Sequence, residues 1–353
     1  YLWDGRQLSE GEWKKRHEAL DLGSRDVFEP LYADFLRQLG TEAVWPENFN
    51  LKAENSTGEY LTNCVNCEHC WYSDGAKDSW WTVWGNLGTE DCALGADVGS
   101  SHCFGNMVTI RSQECRGCWT VRQCQRCEYC IECFDCEDCF GCVGLKRKRF
   151  HIFNKSYTQE DYYRKLDELK CFMLDGSTSF ATERGEYGMP FFGRKFVQGP
   201  HGYSGGSFFL DYKPQEREKI GIVDFEAGLD GAFGNWEGKE LRAPDEIPNR
   251  LSDVERVTGK AFLDPDLKRP FTLFPAEVEL YKKLGVRVPR RHFTARVEDI
   301  WREMNLFDFE SRSCTKCLKS INVAKNKTFP ERKIYCRACY VNYLDTREQS
   351  VFG

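Results

Sequence analysis

The feature that most limits what this chain can fold into is a run of cysteines at every third residue. Cys115, Cys118, Cys124, Cys127, Cys130, Cys133, Cys136, Cys139 and Cys142 share one period of three, and Val121 alone breaks the series. Cys64, Cys67 and Cys70 begin the same pattern earlier, and Cys92 and Cys103 fall between. A strand sends successive side chains to opposite faces, so cysteines three apart would alternate sides. An α-helix turns once in about 3.6 residues, so a stripe of period three drifts around it by roughly 60° per step. A stack of short coils holds the period if the chain bends about every three residues and each short side turns one residue inward. With coils of about 12 residues, Cys115, Cys127 and Cys139 would stack, as would Cys118, Cys130 and Cys142. Free cysteine is small and apolar enough for so narrow an interior.

The same thiols admit two metal readings. Cys64, Cys67, Cys70, Cys115, Cys118, Cys124 and Cys127 could ligate zinc or another thiophilic metal. An iron–sulfur cluster is the other, although the run lacks the C-x3-C-P ending of a ferredoxin. Residues 53–142 carry 5 basic and 14 acidic side chains. Carboxylates nearby raise a thiol's pKa, so either the thiols stay protonated or a cation accompanies them. His69, between Cys67 and Cys70, and His102, before Cys103, are the histidines best placed for mixed sites. His151, His201 and His292 read as ordinary core or surface residues.

The most specific metal motif lies near the C-terminus. Cys314-x2-Cys317 and Cys336-x2-Cys339 are two knuckles with 18 residues between them. Each such turn offers two soft ligands from one side, and two turns complete the tetrahedron that structural zinc requires. The loop Leu318–Tyr335 is long enough for a hairpin that joins them, with Pro330 and Tyr335 ahead of the second knuckle. Four cysteine ligands close the coordination, so the site reads as structural. Residues 282–340 carry net +9 against −9 over 53–142. A basic zinc module with Tyr335 and Tyr340 could contact RNA or a nucleoprotein through Arg290, Arg291 and Arg296. A merely solvated basic face is the plain alternative.

Flanking segments give ordinary signals. Ser9 and Glu12 have capping-box spacing before a helix, and a second helix fits 26–39 with Gly40 as its stop. Phe150–Phe153 reads as a strand, and Thr158 with Asp161 caps a helix over about 159–170. Pro275 opens a helix that Gly285 ends. Residues 176–240, including Gly202–Gly206, are Gly-rich and loop-like, and Glu226, Asp230, Glu237 and Glu240 read as solvated. The expected segments are 1–58 helical, 59–150 cysteine solenoid, 151–243 α+β and loop-rich, 244–310 helical and 311–353 zinc module. No P-loop, dinucleotide fingerprint or nucleophile elbow is present. No apolar run approaches the roughly 18 residues of a membrane span, so no membrane partner is expected. The start, which lacks Met and any secretory signal pattern, fits a processed or incomplete chain. An odd count of 19 cysteines in tight pairs points to the reducing cytoplasm.

Two stretches together resemble a known group. Cys133-Phe134-Asp135-Cys136-Glu137-Asp138-Cys139-Phe140-Gly141-Cys142-Val143-Gly144-Leu145-Lys146 is followed by Phe153-Asn154-Lys155-x-Tyr157-x3-Asp161-Tyr162. Glu277-x-Glu279-Leu280-Tyr281-Lys282-Lys283, Val288-Pro289-Arg290 and Tyr335-Cys336-x2-Cys339-Tyr340 continue it. The order resembles uncharacterised cysteine-rich proteins of small-genome candidate bacterial phyla, sometimes labelled as CoA-transferase relatives, over roughly residues 60–345. Members often carry a further N-terminal zinc module, and this chain has no C-x2-C pair before Cys64. The resemblance implies the architecture and cytoplasmic zinc, and no activity. The expectation is therefore an α+β chain with a central short-coil cysteine-lined solenoid, flanking helices and a C-terminal four-cysteine zinc ribbon-like module. Its expected role is a zinc-binding structural or interaction protein rather than an enzyme. The alternative is an iron–sulfur redox enzyme that uses the repeat.

Overall fold

In the repeat the backbone turns a corner at every third residue, just before each inward side chain. Asn63, Asn66, His69, Asp91, His102, Glu114, Asp135 and Asp138 all take φ between 48° and 56° there. This left-handed region costs most L-residues about 1–2 kcal/mol, and short polar Asn and Asp tolerate it best. A corner, an inward residue and an extended residue make one side, and four sides close a coil. The computed structural model of the chain describes residues 1–3, 6–175, 187–188, 210, 212–219, 236 and 238–352.

The chain divides into two units, Asn48–Gln198 with Gln215–Val223, and Tyr1–Glu47 with Gly199–Pro214 and Asp224–Gly353. In chain order the elements begin with β1 (Leu2–Trp3), β2 (Arg6–Gln7), α1 (Glu10–Glu18), α2 (Arg25–Thr41) and β3 (Val44–Pro46). Strands β4 (Gly58–Thr62), β5 (Cys70–Asp74), β6 (Trp80–Asn86), β7 (Ala93–Val98), β8 (Met107–Ile110) and β9 (Trp119–Arg122) form one sheet. Strands β10 (Gln125–Glu128), β11 (Glu137–Phe140), β12 (Arg149–Ile152) and β13 (Lys155–Ser156) form another, and α3 (Gln159–Leu174) follows. Then come α4 (Pro214–Lys219), β14 (Leu241–Arg242), β15 (Ala261–Leu263), β16 (Pro270–Thr272), α5 (Pro275–Leu284) and α6 (Phe293–Glu303). Strands β17 (Phe309–Ser313), β18 (Ser320–Ala324) and β19 (Lys333–Tyr335) precede α7 (Arg337–Phe352).

The first unit is a parallel β-solenoid of about 8 turns. Glu59 pairs with Trp71, Thr109 with Val121 and Gln125 with Glu137, so the coil is 12 residues long. Fourteen cysteines, Cys64 to Cys142, are buried inside it. Their thiols satisfy carbonyls that also face inward: Cys118 Sγ donates to Cys127 O at 3.3 Å, and Cys130 Sγ to Cys139 O at 3.5 Å. Cysteine does not line the whole interior, however. Ser73, Ser79, Thr82, Thr89, Asp97, Ser100, Asn106, Thr109 and Ser112 fill the middle coils and are buried. At the last coil the stack is closed by antiparallel β13 and by α3, whose Tyr162 packs with Phe140 and Ile152. Thr158 Oγ1 accepts from Asp161 N to cap that helix.

In the second unit, Ser9 and Glu12 form the capping box of α1, and Gly285 ends α5 at φ 65°. Helix α2 runs through Gly40 to Thr41, so that glycine does not stop it. Its tight approach to the Phe329 ring, 3.3 Å from where a Cβ would sit, is the role the glycine has instead. Strand β3 pairs in parallel with β19, Val44 beside Lys333 and Pro46 beside Tyr335. The N-terminal segment therefore contributes a strand beside the second knuckle. No described helix is long and apolar enough to cross a membrane. The readings made for Gly202–Gly206, His201, Glu226, Asp230 and Glu237 lie outside the described residues.

Candidate metal centres

The two C-terminal knuckles are carried by different local structures. Antiparallel β17 and β18 hold Cys314 and Cys317 in the turn between them, tied by Cys314 N to Lys319 O at 2.8 Å. Cys336 follows β19 directly, and Cys339 lies in the first turn of α7. Ile321, Val323, Ile334 and Trp45 pack against the cluster and fix the two carriers together. One sulfur from each of Cys314, Cys317, Cys336 and Cys339 then lies within 4.8 Å of every other. Cys317 Sγ is 3.8 Å from Cys336 Sγ. Sulfurs bound to one tetrahedral zinc at about 2.3 Å stand about 3.8 Å apart, so the donor set fits such an ion.

The electrostatics separate two of the four thiols, Cys314 and Cys339. Burial acts to raise the Cys314 thiol, but the backbone N–H groups of Cys336, Cys317 and Lys316 pull it down to about 6. The Cys336 amide donates to Cys314 Sγ at 3.3 Å. Cys339 is pushed up to about 12, chiefly by its hydrogen bond to Cys336 and by burial. One sulfur is thus ready as a thiolate, while another holds its proton until a metal displaces it. Among the described residues, no His, Asp or Glu joins this group.

The repeat is different. Among the described residues, no three of its cysteines bring their sulfurs within 4.8 Å of one another. The further ligands expected at Cys64, Cys67 and Cys70, and at Cys115, Cys118, Cys124 and Cys127, line successive sides of the coils, each in contact with neighbouring thiols. Each points its sulfur at a main-chain carbonyl, as Cys67 does to Ala76 O at 3.4 Å and Cys124 to Cys133 O at 3.3 Å. Burial pushes the Cys136 thiol up to about 11 and the Cys118 thiol far above its ordinary value, whereas contacts with Cys127 and Cys130 pull Cys124 and Cys133 down. His69 stacks on Trp81 at 4.5 Å, and His102 faces Asp91 at 3.4 Å.

Arg290, Arg291 and Arg296 are engaged inside their own unit. Arg290 donates to Ile247 O and, at 2.9 Å, to Asn249 Oδ1. Arg291 pairs with Asp299 and with Asp266 at 2.9 Å, and Arg296 with Glu277 at 3.1 Å and Tyr281 Oη at 2.7 Å. A count of charge along the sequence contains no record of these partners.

One grouping escaped the sequence reading: Cys92, Asp97 and Cys103 bring one ligand atom each within 4.8 Å of the others. A period of three could not find it, because the coil length changes there.

Fold and sites define the class, a cysteine-lined β-solenoid protein with a C-terminal cluster of four cysteines placed to hold a metal ion. No family model, curated protein or solved structure matches the chain.

Proposed function

We propose that this is a zinc-organised structural and interaction protein, working in the reducing cytoplasm. The observation that carries it is the C-terminal cluster, whose four sulfurs lie within 4.8 Å of one another. Four protein ligands fill a tetrahedral zinc and leave it no position for substrate, so the metal's work is to hold β17–β19 and α7 together. Nineteen free cysteines support a reducing compartment. The interaction half rests on the solenoid's outer face, where Trp80, Trp81 and Trp84 are 59, 50 and 45% exposed. Large exposed apolar side chains gathered in one region favour a partner-binding surface. Kinship with the cysteine-rich bacterial proteins named above is part of this proposal and rests on the shared motifs alone.

A contact with RNA at the basic end is the second reading, favoured only by the net charge of residues 282–340. The internal partners of Arg290, Arg291 and Arg296 weigh against it. Elemental analysis of anaerobically purified protein tests the main proposal. Zinc bound to the wild type and lost from the C-terminal site in Cys336→Ser supports it, and iron in a brown protein would replace it with the redox reading. Filter binding to RNA at low and high salt tests the second reading.

A further inference from the structure

We propose that Cys92, Asp97 and Cys103 form a second metal site, inside the solenoid, for a thiophilic divalent cation of the zinc type. All three are at most 1% exposed, and their ligand atoms lie within 4.8 Å of one another.

The site arises from two departures from the 12-residue coil. Lys77 pairs with Glu90 and Val83 with Ala96, each 13 apart, whereas Asn86 pairs with Val98, 12 apart. One residue has therefore been added between Asn86 and Glu90, and one removed between Ala96 and Val98. The removal leaves Gly95 and Asp97, on successive sides of the coil, only two residues apart. A Cβ at Gly95 would stand 2.5 Å from Asp97 Oδ2 and 2.9 Å from Asn106 O. Glycine leaves the space in which the carboxylate reaches across the coil toward Cys92 and Cys103.

Asp97 is the residue that calls for a ligand. Thr109 Oγ1 donates to its Oδ1, while its buried Oδ2 has no hydrogen-bond partner. Among the described residues, no Lys or Arg forms an ion pair with it. A buried carboxylate with one oxygen unmet is costly unless a cation or a proton compensates it. Burial pushes its carboxyl up to about 6, against the lowering contacts of Thr109 and Asn106.

The donor set chooses the cation. Two sulfurs favour a soft or borderline ion over magnesium or calcium, which prefer all-oxygen shells. Binding breaks two S–H bonds and releases both protons to solvent, as two metal–sulfur bonds and one metal–oxygen bond form. Three negative ligands around a divalent ion leave one negative charge instead of three. Each thiol gives up its main-chain contacts on losing its proton, Cys92 those to Glu90 O and Ser100 O and Cys103 those to Ser101 O and Ser112 O. A groove of about 680 Å³ is lined by Glu68, Asp78, Trp80, Asp91 and Cys92 among others, so Cys92 belongs to both groove and cluster. Three carboxylates along it concentrate cations beside the cluster.

The test uses the full chain, stripped of metal anaerobically and titrated with zinc, with bound ions counted by native mass spectrometry. The wild type is expected to bind two ions, Cys336→Ser one, and Cys336→Ser combined with Asp97→Asn none. Asparagine keeps the shape of Asp97 and its contact with Thr109, and circular dichroism checks that the solenoid persists. X-ray absorption of the zinc-loaded Cys336→Ser chain is expected to show a mixed sulfur and oxygen shell. That spectrum decides alone if Asp97→Asn disturbs the fold. The proposal is overturned if Cys336→Ser binds no zinc, if its shell is all sulfur, or if folded Asp97→Asn leaves the count unchanged. Failure of the C-terminal site reads differently, because wild type and Cys336→Ser would then bind the same single ion.

Discussion

Cys127 and Cys139 stand in parallel register one coil apart, and each thiol is directed at the carbonyl nine residues further along the chain. This relationship repeats through the stack, so the interior thiols serve as hydrogen-bond donors to the main chain. It also shields them. Of the 19 cysteines, only Cys171 and Cys317 are exposed, with Cys339 partly so. A thiol reagent added to zinc-loaded native protein should modify Cys171 alone, and after chelation Cys317 and Cys339 as well. The 14 repeat cysteines should react only on denaturation. Peptide mass spectrometry reads this directly, and rapid labelling of Cys127 or Cys130 in the native state would contradict a closed interior.

Loss of the C-terminal metal should act locally. Structural zinc bound to small modules carries about 10–16 kcal/mol of binding free energy that is also folding free energy. Cys336→Ser, or chelation, should therefore abolish amide protection across β17, β18 and β19. Hydrogen exchange in the solenoid should stay as it was. Unchanged protection at Ile321 and Ile334 would show that the apolar cluster holds without metal.

The corners of the coil predict opposite effects for two substitutions. Val108 is β-branched and takes φ 64°, a conformation such residues strongly resist. Val108→Asn should raise stability by about 1 kcal/mol. Gly141 takes φ 60°, and a Cβ there would stand 2.4 Å from the Phe153 ring. Gly141→Ala should lower stability by about 1–3 kcal/mol through strain and overpacking. Thermal unfolding of the two variants checks both signs.

The second unit should lose stability in two stages as pH falls. Burial holds the His292 imidazole below its ordinary 6.5, and the neutral ring accepts Thr294 N at 3.0 Å. A base whose pKa is depressed by folding contributes stability present above 6.5 and lost as pH drops toward its folded value. Burial acts to raise Asp264, but the backbone N–H groups of Leu267, His292 and Asp266 outweigh it and hold the carboxyl below 3.8. Its share is present above 3.8 and lost as pH falls through the lowered value. Asp264→Asn should cost about 1–3 kcal/mol at neutral pH and remove the second stage, as read from unfolding midpoints against pH.

Arg290, Arg291 and Arg296 should matter for folding. Arg290→Ala leaves Ile247 O without its guanidinium donor, which should cost about 1–3 kcal/mol. Arg291→Ala removes only partly exposed pairs and should cost about 1 kcal/mol or less. Equal, negligible effects of both would return these side chains to the solvated face.

The sequence was most legible where spacing is local. C-x2-C turns announce themselves, and a cysteine every third residue leaves few shapes open. The corners were legible too, since Asn63, Asn66, Asp135 and Asp138 each precede an inward cysteine, yet that signal went unread. Pairing at long range left no such trace. Nothing near Val44 indicates that Lys333 will lie beside it, and nothing near Arg290 indicates Ile247 O. Ser73, Thr82, Asn106 and Thr109 were missed because their inward positions carry hydroxyl and amide groups instead of thiols.

The added residue before Glu90 and the missing one after Ala96 behave like a compensating pair of frameshifts. Between them the stack runs one residue out of phase, and beyond them Asp97 and Thr109 are again 12 apart. Length changes elsewhere in the solenoid should obey the same arithmetic. A lone extra residue at a corner should likewise be absorbed as a local bulge, since Cys92 stays buried just after the one before Glu90, and whole coils could be gained or lost with the stack intact.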